Sequence, residues 1–240
     1  EGLGAARVTA TVTGGTLSGV KLPVPDGDVA GVAGVSAQNE NGQTGLYLLD
    51  RDDAAVQREP CNSMDPSRSQ ARLVFDGAAA SPLGGGTDGQ AALAQLLDKA
   101  AVLFAFEQIG GGQAAMDMGM AYTKQRFAFG RPIASFQAIK HKFADMFVAL
   151  ELARANAYYG AWAMSCDAPD LPLAAATARV SASDAYYQIT RENIQAHGGM
   201  GFTWEFDCHL YYRRAQLLSG VIGTQPQWKE AIASRLIGAA

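Results

Sequence analysis

Three short clusters in the C-terminal half of the chain carry residue types suited to a phosphate-bearing ligand. In Arg126-Phe127-Ala128-Phe129-Gly130-Arg131-Pro132-Ile133, two guanidinium groups flank a glycine turn, and Phe136-Gln137-Ala138-Ile139-Lys140-His141 follows at once. A planar cation there can bind a pyrophosphate through paired hydrogen bonds, with Gln137 adding a neutral one. The plainer reading is a cationic cap that favours the dipole of the preceding helix. In Gln195-Ala196-His197-Gly198-Gly199-Met200-Gly201-Phe202, three glycines in four positions let backbone pass close to a ligand and expose N–H groups to phosphate. A helix C-cap turn explains that run nearly as well, and His197 reads either as a general base or as a hydrogen-bonded structural histidine beside the turn. In Gly220-Val221-Ile222-Gly223-Thr224-Gln225, Thr224 is a natural N-cap for a final helix.

These clusters have to be positioned by elements of two different periods. Residues 6–77 read as strands: Arg7-Val8-Thr9-Ala10-Thr11-Val12 alternates, Gly14-Gly15 marks a hairpin, and 45–50 and 71–76 are short apolar runs bounded by turn residues. Such spacing suits an antiparallel barrel or sandwich. From about residue 91 the period becomes helical, with Leu93, Leu96, Leu97, Ala100 and Leu103 at three- and four-residue steps. Gly110-Gly111-Gly112 is expected to interrupt this first helix, for a close approach by a neighbour. A second helix is predicted near 135–166, with Phe136, Ile139, Phe143, Met146, Phe147 and Leu150 on one stripe. A third is predicted near 171–196, and two shorter ones near 206–219 and 225–237. The fold class is therefore α+β: a small antiparallel β-barrel or sandwich domain (1–82), a flexible linker (83–90), and an α-helical, four-helix-type bundle (91–240).

Composition narrows the function classes. The 240 residues are 48% hydrophobic and 18% charged, with a formal net charge of -4. Those figures describe a globular chain and give no electrostatic case for nucleic acid or an anionic lipid surface. The longest apolar runs fall short of a transmembrane helix. Cys61, Cys166 and Cys208 form neither a disulfide framework nor a metal-ligand spacing, so no metal site is expected and a reducing cytoplasm is the simplest location.

Taken in order, the clusters resemble the acyl-CoA dehydrogenase family, whose pattern is Arg-x-x-Phe-Gly, then Phe-Gln, then Gly-Gly-x-Gly-Phe, then Gly-Thr before the last helix. Thr16-Leu17-Ser18-Gly19-Val20-Lys21, Asp28-Val29-Ala30 and Met64-Asp65-Pro66-Ser67-Arg68 are similar to that family's middle domain. The resemblance implies an FAD site shared between subunits, with Arg126, Phe129 and Gln137 on the pyrophosphate and adenosine of a neighbour's flavin. Gln195, Gly198 and Gly199 would line the cofactor from their own side, with Thr224 beside it. It also implies dehydrogenation of an acyl-CoA thioester to a 2-enoyl-CoA, an oligomer, and an electron-transfer flavoprotein-like acceptor. An α-proton beside a thioester is weakly acidic, so a positioned carboxylate is needed.

The chain departs from that pattern where the chemistry is done. The usual glutamate before Gly-Thr is Ile222, and the alternative base position on the first bundle helix is Ala100. An arginine near the CoA moiety falls on Ala101, whereas Asp98 beside it is retained as a candidate substrate contact. Glu107, one or two turns further on, is a weak candidate base and more simply a structural carboxylate. Glu205 matches a structural acid and is expected to pair with Arg213 or Arg214. The family's N-terminal helical domain has no counterpart in this sequence. These departures, and the likeness of the runs 197–205 and 136–141 to the branch acting on steroid side chains, lead to two expectations. One is a catalytic subunit for a bulky acyl-CoA; the other is a degenerate subunit completing the FAD site of a catalytic paralogue in a heterotetramer.

Overall fold

The computed structural model describes residues 8–50, 52–84 and 89–238. The start of the expected first strand, at Arg7, and residues 85–88 of the linker lie outside them. The chain divides into two compact units, 1–96 and 97–240.

In the first unit, Thr11, Val12 and Thr13 form β1 (Thr11–Thr13), which turns at Gly14-Gly15 into β2 (Thr16–Pro25). Both turn glycines have positive φ, +56° and +81°, the requirement of the tight hairpin whose twist matches its strands. β3 (Val32–Gln38), β4 (Thr44–Asp50), β5 (Val56–Pro60), β6 (Gln70–Ala79) and β7 (Ser81–Pro82) complete a sheet ordered β5-β6-β2-β1-β3-β4-β7. Pairing is antiparallel apart from the β1–β3 contact at Thr11 and Gln38. β4 and β6 lie four places apart in this order yet touch, so the sheet curls on itself. Its inner face is the alternating set Val35 and Ala37, Tyr47 and Leu49, and Ala71, Leu73 and Phe75, closed by Val12 and Leu17. β5 carries Pro60 and sits at an edge, where a missing N–H breaks no ladder. The linker expected over 83–90 is shorter, because α1 already starts at Gly89. A Cβ there would lie 2.5 Å from the Thr44 carbonyl oxygen, so only glycine lets the helix begin against β4.

The second unit holds the rest of α1 (Gly89–Gln125), then α2 (Gln137–Ser165), α3 (Leu171–His197), α4 (Cys208–Gly220) and α5 (Gln225–Gly238). A two-strand hairpin, β8 (Phe127–Ala128) with β9 (Arg131–Pro132), joins α1 to α2. The core is built from small side chains: Ala105 and Ala115 of α1, Ala153 and Ala157 of α2, and Ala178, Ala182 and Ala185 of α3 surround Met116, Met146, Leu150 and Ile189. The leucine stripe of α1 is not the buried one. Leu96 and Leu103 are 57% and 61% exposed, whereas Ala101, Val102, Ala105 and Ile109 are buried. Close helix packing selects the small face, and the bulkier stripe points outward.

The glycines of α1 do not interrupt it; the helix runs unbroken through Gly110-Gly111-Gly112. Their reason is packing against side chains. A Cβ on Gly111 would lie 2.6 Å from the hydroxyl of buried Tyr186, and one on Gly112 would lie 3.3 Å from Leu150, while Gly110 faces open space. Arg179, 1% exposed, locks the helices further. It donates to the Gln108 side-chain oxygen at 3.0 Å and to the Leu218 carbonyl, joining α3 to α1 and α4. Burial lowers its pKa to about 10, opposed by the nearby Glu107 carboxylate.

These contacts predict opposite signs for two adjacent substitutions. Gly110→Ala should stabilise the protein by up to about 1 kcal/mol through helix propensity. Gly111→Ala should destabilise it by about 1–3 kcal/mol, because overpacking against Tyr186 outweighs that gain. Urea denaturation of both variants checks the pair, and equal shifts would remove the packing account.

Candidate flavin site

The last turns of α1 and α3 meet side by side. Tyr122 stacks on His197 with ring centroids 4.1 Å apart and planes inclined by 25°, and Phe206 meets both rings edge-on. His197 is 3% exposed. Its Nδ1 lies 2.8 Å from the Asn193 carbonyl, which can only accept, so Nδ1 carries the proton. The histidine is thus the structural one of the two readings: it anchors the end of α3.

Each glycine after it has a separate cause. Gly198 ends α3 at φ +60°, ψ −137°, a conformation reserved for glycine. Gly201 is buried, and a Cβ there would lie 2.5 Å from the Ile194 carbonyl oxygen. Gly199 has open space beside it, leaving its backbone accessible. At the end of α1, Phe129 and Gly130 both adopt positive φ, +53° and +78°, to close the β8–β9 hairpin. Phe129 is held there with 96% of its surface exposed, a conformation that costs about 1–3 kcal/mol in a non-glycine residue. Arg131 lies over the Phe136 ring, 4.0 Å from its centroid.

A groove of about 680 Å3 opens between these two chain ends. Arg126, Phe129, Gln195, Gly198 and Gly199, all expected site residues, line it together. Gln137 is the exposed first residue of α2, between Phe136 and Ala138 of the same wall. Thr224 does not line it. Thr224 stands just before α5, its N–H and hydroxyl both donating to the Gln227 side-chain oxygen at 2.8 and 3.0 Å and its carbonyl accepting from the Trp228 N–H. Tyr122 lines the groove one helical turn before Arg126, a spacing that marks it in the sequence once the helix is known. Among the described residues the Arg126 side chain has no hydrogen-bonding or ionic partner, and no group of three metal-ligating side chains occurs.

The remaining candidates are engaged elsewhere in the bundle. Asp98 is 4% exposed and accepts from Arg235 at 3.0 Å, tying α1 to α5. Glu107 accepts from Arg214 at 2.8 Å. That ion pair overturns the expected Glu205–Arg214 contact: Glu205 instead accepts from Thr203, and Arg213 lies over Trp204, 4.9 Å from its centroid. The Thr203 hydrogen bond keeps the exposed Glu205 carboxyl below its ordinary pKa. Ile222 and Ala100, where the resemblance leads one to expect a base, carry no titratable atom.

The family model for the acyl-CoA dehydrogenase C-terminal domain matches residues 87–237. This chain belongs to the acyl-CoA dehydrogenase family. It is 42% identical over 157 residues to acyl-CoA dehydrogenase IpdE2 of Mycobacterium tuberculosis, a match covering 65% of this chain and 45% of that protein. Its fold is similar to a variant of the Tcur3481-Tcur3483 steroid ACAD (TM-score 0.86, 28% identity, 96% of this chain and 62% of that one). It is also similar to the ChsE4-ChsE5 complex from Mycobacterium tuberculosis (TM-score 0.84, 25% identity, 96% and 62%). The match thus spans about half of the curated relative. FAD is the cofactor of acyl-CoA dehydrogenases. No helix among the described residues is long and apolar enough to cross a membrane.

The Asp98–Arg235 pair gives a pH-dependent prediction. Burial raises the Asp98 pKa, only partly offset by Arg235. A carboxyl raised in the native state binds its proton more tightly folded than unfolded, so its stabilising effect is fullest below about pH 4 and is lost as pH rises through the native value. Arg235→Met removes the offset and raises that pKa further. The variant should lose about 2 kcal/mol more at pH 8 than at pH 4. A loss independent of pH, measured by denaturant unfolding, would count against the pair.

Proposed function

We propose that this chain is a subunit of an FAD-dependent acyl-CoA dehydrogenase that converts an acyl-CoA thioester to its 2-enoyl-CoA, with a bulky, steroid-derived acyl group. The observation that carries this reading is the groove at the ends of α1 and α3, where the guanidinium of Arg126 has no hydrogen-bonding or ionic partner among the described residues. Arg126 neutralises a pyrophosphate, and the accessible backbone at Gly199 offers its N–H to the same ligand. Gln137 and Gln195 hydrogen-bond the cofactor's polar edge, and exposed Phe129 covers an aromatic ring. FAD, when bound, would supply the hydride acceptor, and an electron-transfer flavoprotein-like protein in the cytoplasm would take up its electrons. The steroid ACAD neighbour supports the bulky substrate, and the ChsE4-ChsE5 complex supports assembly with a paralogue.

A second reading is favoured by one position. Ile222 stands where the family's base is expected, and Ala100 stands at the alternative, so the weakly acidic α-proton meets no carboxylate at either. In this reading the chain stabilises a catalytic paralogue and completes its FAD site.

A visible absorption spectrum, before and after anaerobic addition of acyl-CoA, separates the two. Flavin that bleaches with this chain alone establishes the first reading and sends the search for a base to Glu107. Flavin that bleaches only with a paralogue present establishes the second. In either case Arg126→Ala should weaken flavin retention by about 2–3 kcal/mol, the scale of a charge-assisted contact. Unchanged flavin content after gel filtration would remove Arg126 from the site.

A further inference from the structure

The sheet of the first unit has a gap in its hydrogen bonding. β1 stands between β2 and β3, yet its pairing with β2 ends at Thr11 and Ser18, and its pairing with β3 is the single step from Thr11 to Gln38. Past that point β2 continues from Gly19 to Pro25 against β6 alone, and β3 runs back from Ala37 to Val32 against β4 alone. Between them lies a slot of about 390 Å3, walled by residues 21–25 of β2 and 32–36 of β3. Arg58 closes the end at the β2–β3 turn, donating to the Ala30 carbonyl at 3.0 Å.

Strand alternation fixes which backbone groups face the slot. The Gln38 N–H turns toward β1 and donates to the Ala10 carbonyl at 2.9 Å. Counting back by twos, Ser36, Gly34 and Val32 turn their N–H and C=O groups the same way, while Ala33, Val35 and Ala37 turn theirs to β4. No strand among the described residues receives the first set. The two walls differ in how they are guarded. β2 carries Pro23 and Pro25, whereas Val32-Ala33-Gly34-Val35-Ser36-Ala37 has neither a proline nor a charge, the usual protections of an open edge. A Cβ on Gly34 would meet open space, and the lining side chains Leu22 and Val32 are 58% and 55% exposed.

Charge narrows the occupant. The charged side chains lining the slot are Lys21 and Arg58, and no carboxylate lines it among the described residues. Arg58 is occupied with backbone carbonyls. Lys21 reaches only the Ser36 hydroxyl, at 3.3 Å, and burial holds its pKa below the ordinary lysine value. A cation placed there gains from an anionic partner that enters with the occupant.

We infer that β3 is a docking edge for an extended, acidic segment of another polypeptide, which adds to the sheet as a strand beside Val32, Gly34 and Ser36 and sets a carboxylate against Lys21. Main-chain pairing supplies the affinity and the lysine supplies the preference among sequences. The slot spans about five residues of strand, roughly 17 Å. It lies within the first unit and involves neither Arg126 nor flavin, so its test stands apart from the functional reading.

The probe is a blocked seven-residue peptide that alternates valine with threonine and carries one central glutamate, added to the full chain. Hydrogen exchange should show the amides of Val32, Gly34 and Ser36 open in the chain alone and protected once the peptide is present. The glutamate peptide should bind at least about tenfold more tightly than its lysine counterpart, the scale of 1.4 kcal/mol, and Lys21→Met should erase that preference. Gly34→Pro removes one N–H from the edge and should abolish binding; a backbone N-methylated peptide makes the same test without altering the protein. Protection of the three amides before any peptide is added would mean that the chain fills its own slot, and would overturn the proposal. So would an absence of protection at millimolar peptide, equal binding after N-methylation, or equal binding of the glutamate and lysine peptides.

Discussion

The site rests on how closely α1 and α3 approach each other, and glycine decides that distance. Gly111 lies under the hydroxyl of Tyr186, and a Cβ on Gly119 would sit 2.8 Å from the Asn193 side-chain oxygen. One turn beyond Gly119, Tyr122 reaches His197; one turn beyond that, Arg126 begins the hairpin. Push the helices apart by one methyl group and the stack, the end of α3 and the groove wall would all shift together. A glycine costs helix propensity, up to about 1 kcal/mol each. The bundle recovers it through packing that a larger residue would forbid.

Polar groups inside the bundle follow the same economy of space. Arg179 is admitted to the interior because Gln108 and the Leu218 carbonyl receive its protons, and because Glu107 lies near enough to favour its charge. Asp98 is admitted because Arg235 reaches it from α5. In both cases the ionised group joins helices distant in sequence, so the pairs specify which helix lies against which. The carboxylates near the family's catalytic positions are thereby committed to structure. At the two positions where a base is expected the side chains are aliphatic, Ile222 and Ala100.

α2 shows the limit of judging a helix by one apolar stripe. Phe147 and Leu150 both belong to the stripe predicted from the sequence, yet Leu150 is buried and Phe147 is 54% exposed. The inner face is made of Met146, Leu150 and small residues, and the larger aromatics lie outside. Size alone therefore misassigns the face, as it does for the leucines of α1.

The sequence by itself determined the change of period near residue 91, the five helices and the hairpin at Gly14-Gly15. Those features are local: turn glycines, caps and helical spacing act within a few residues. β3 and β5 escaped because Val32–Gln38 is rich in alanine and glycine and Val56–Pro60 is a short, polar edge strand, and both depend on neighbouring strands for their hydrogen bonds. The tertiary structure alone decided that α1 runs straight through three glycines, that Glu107 takes Arg214 in place of Glu205, that His197 is an anchor stacked on Tyr122, and that Thr224 lies outside the groove. Each of those outcomes turns on which side chain fills a space between elements far apart in the chain, and no local pattern encodes that distance.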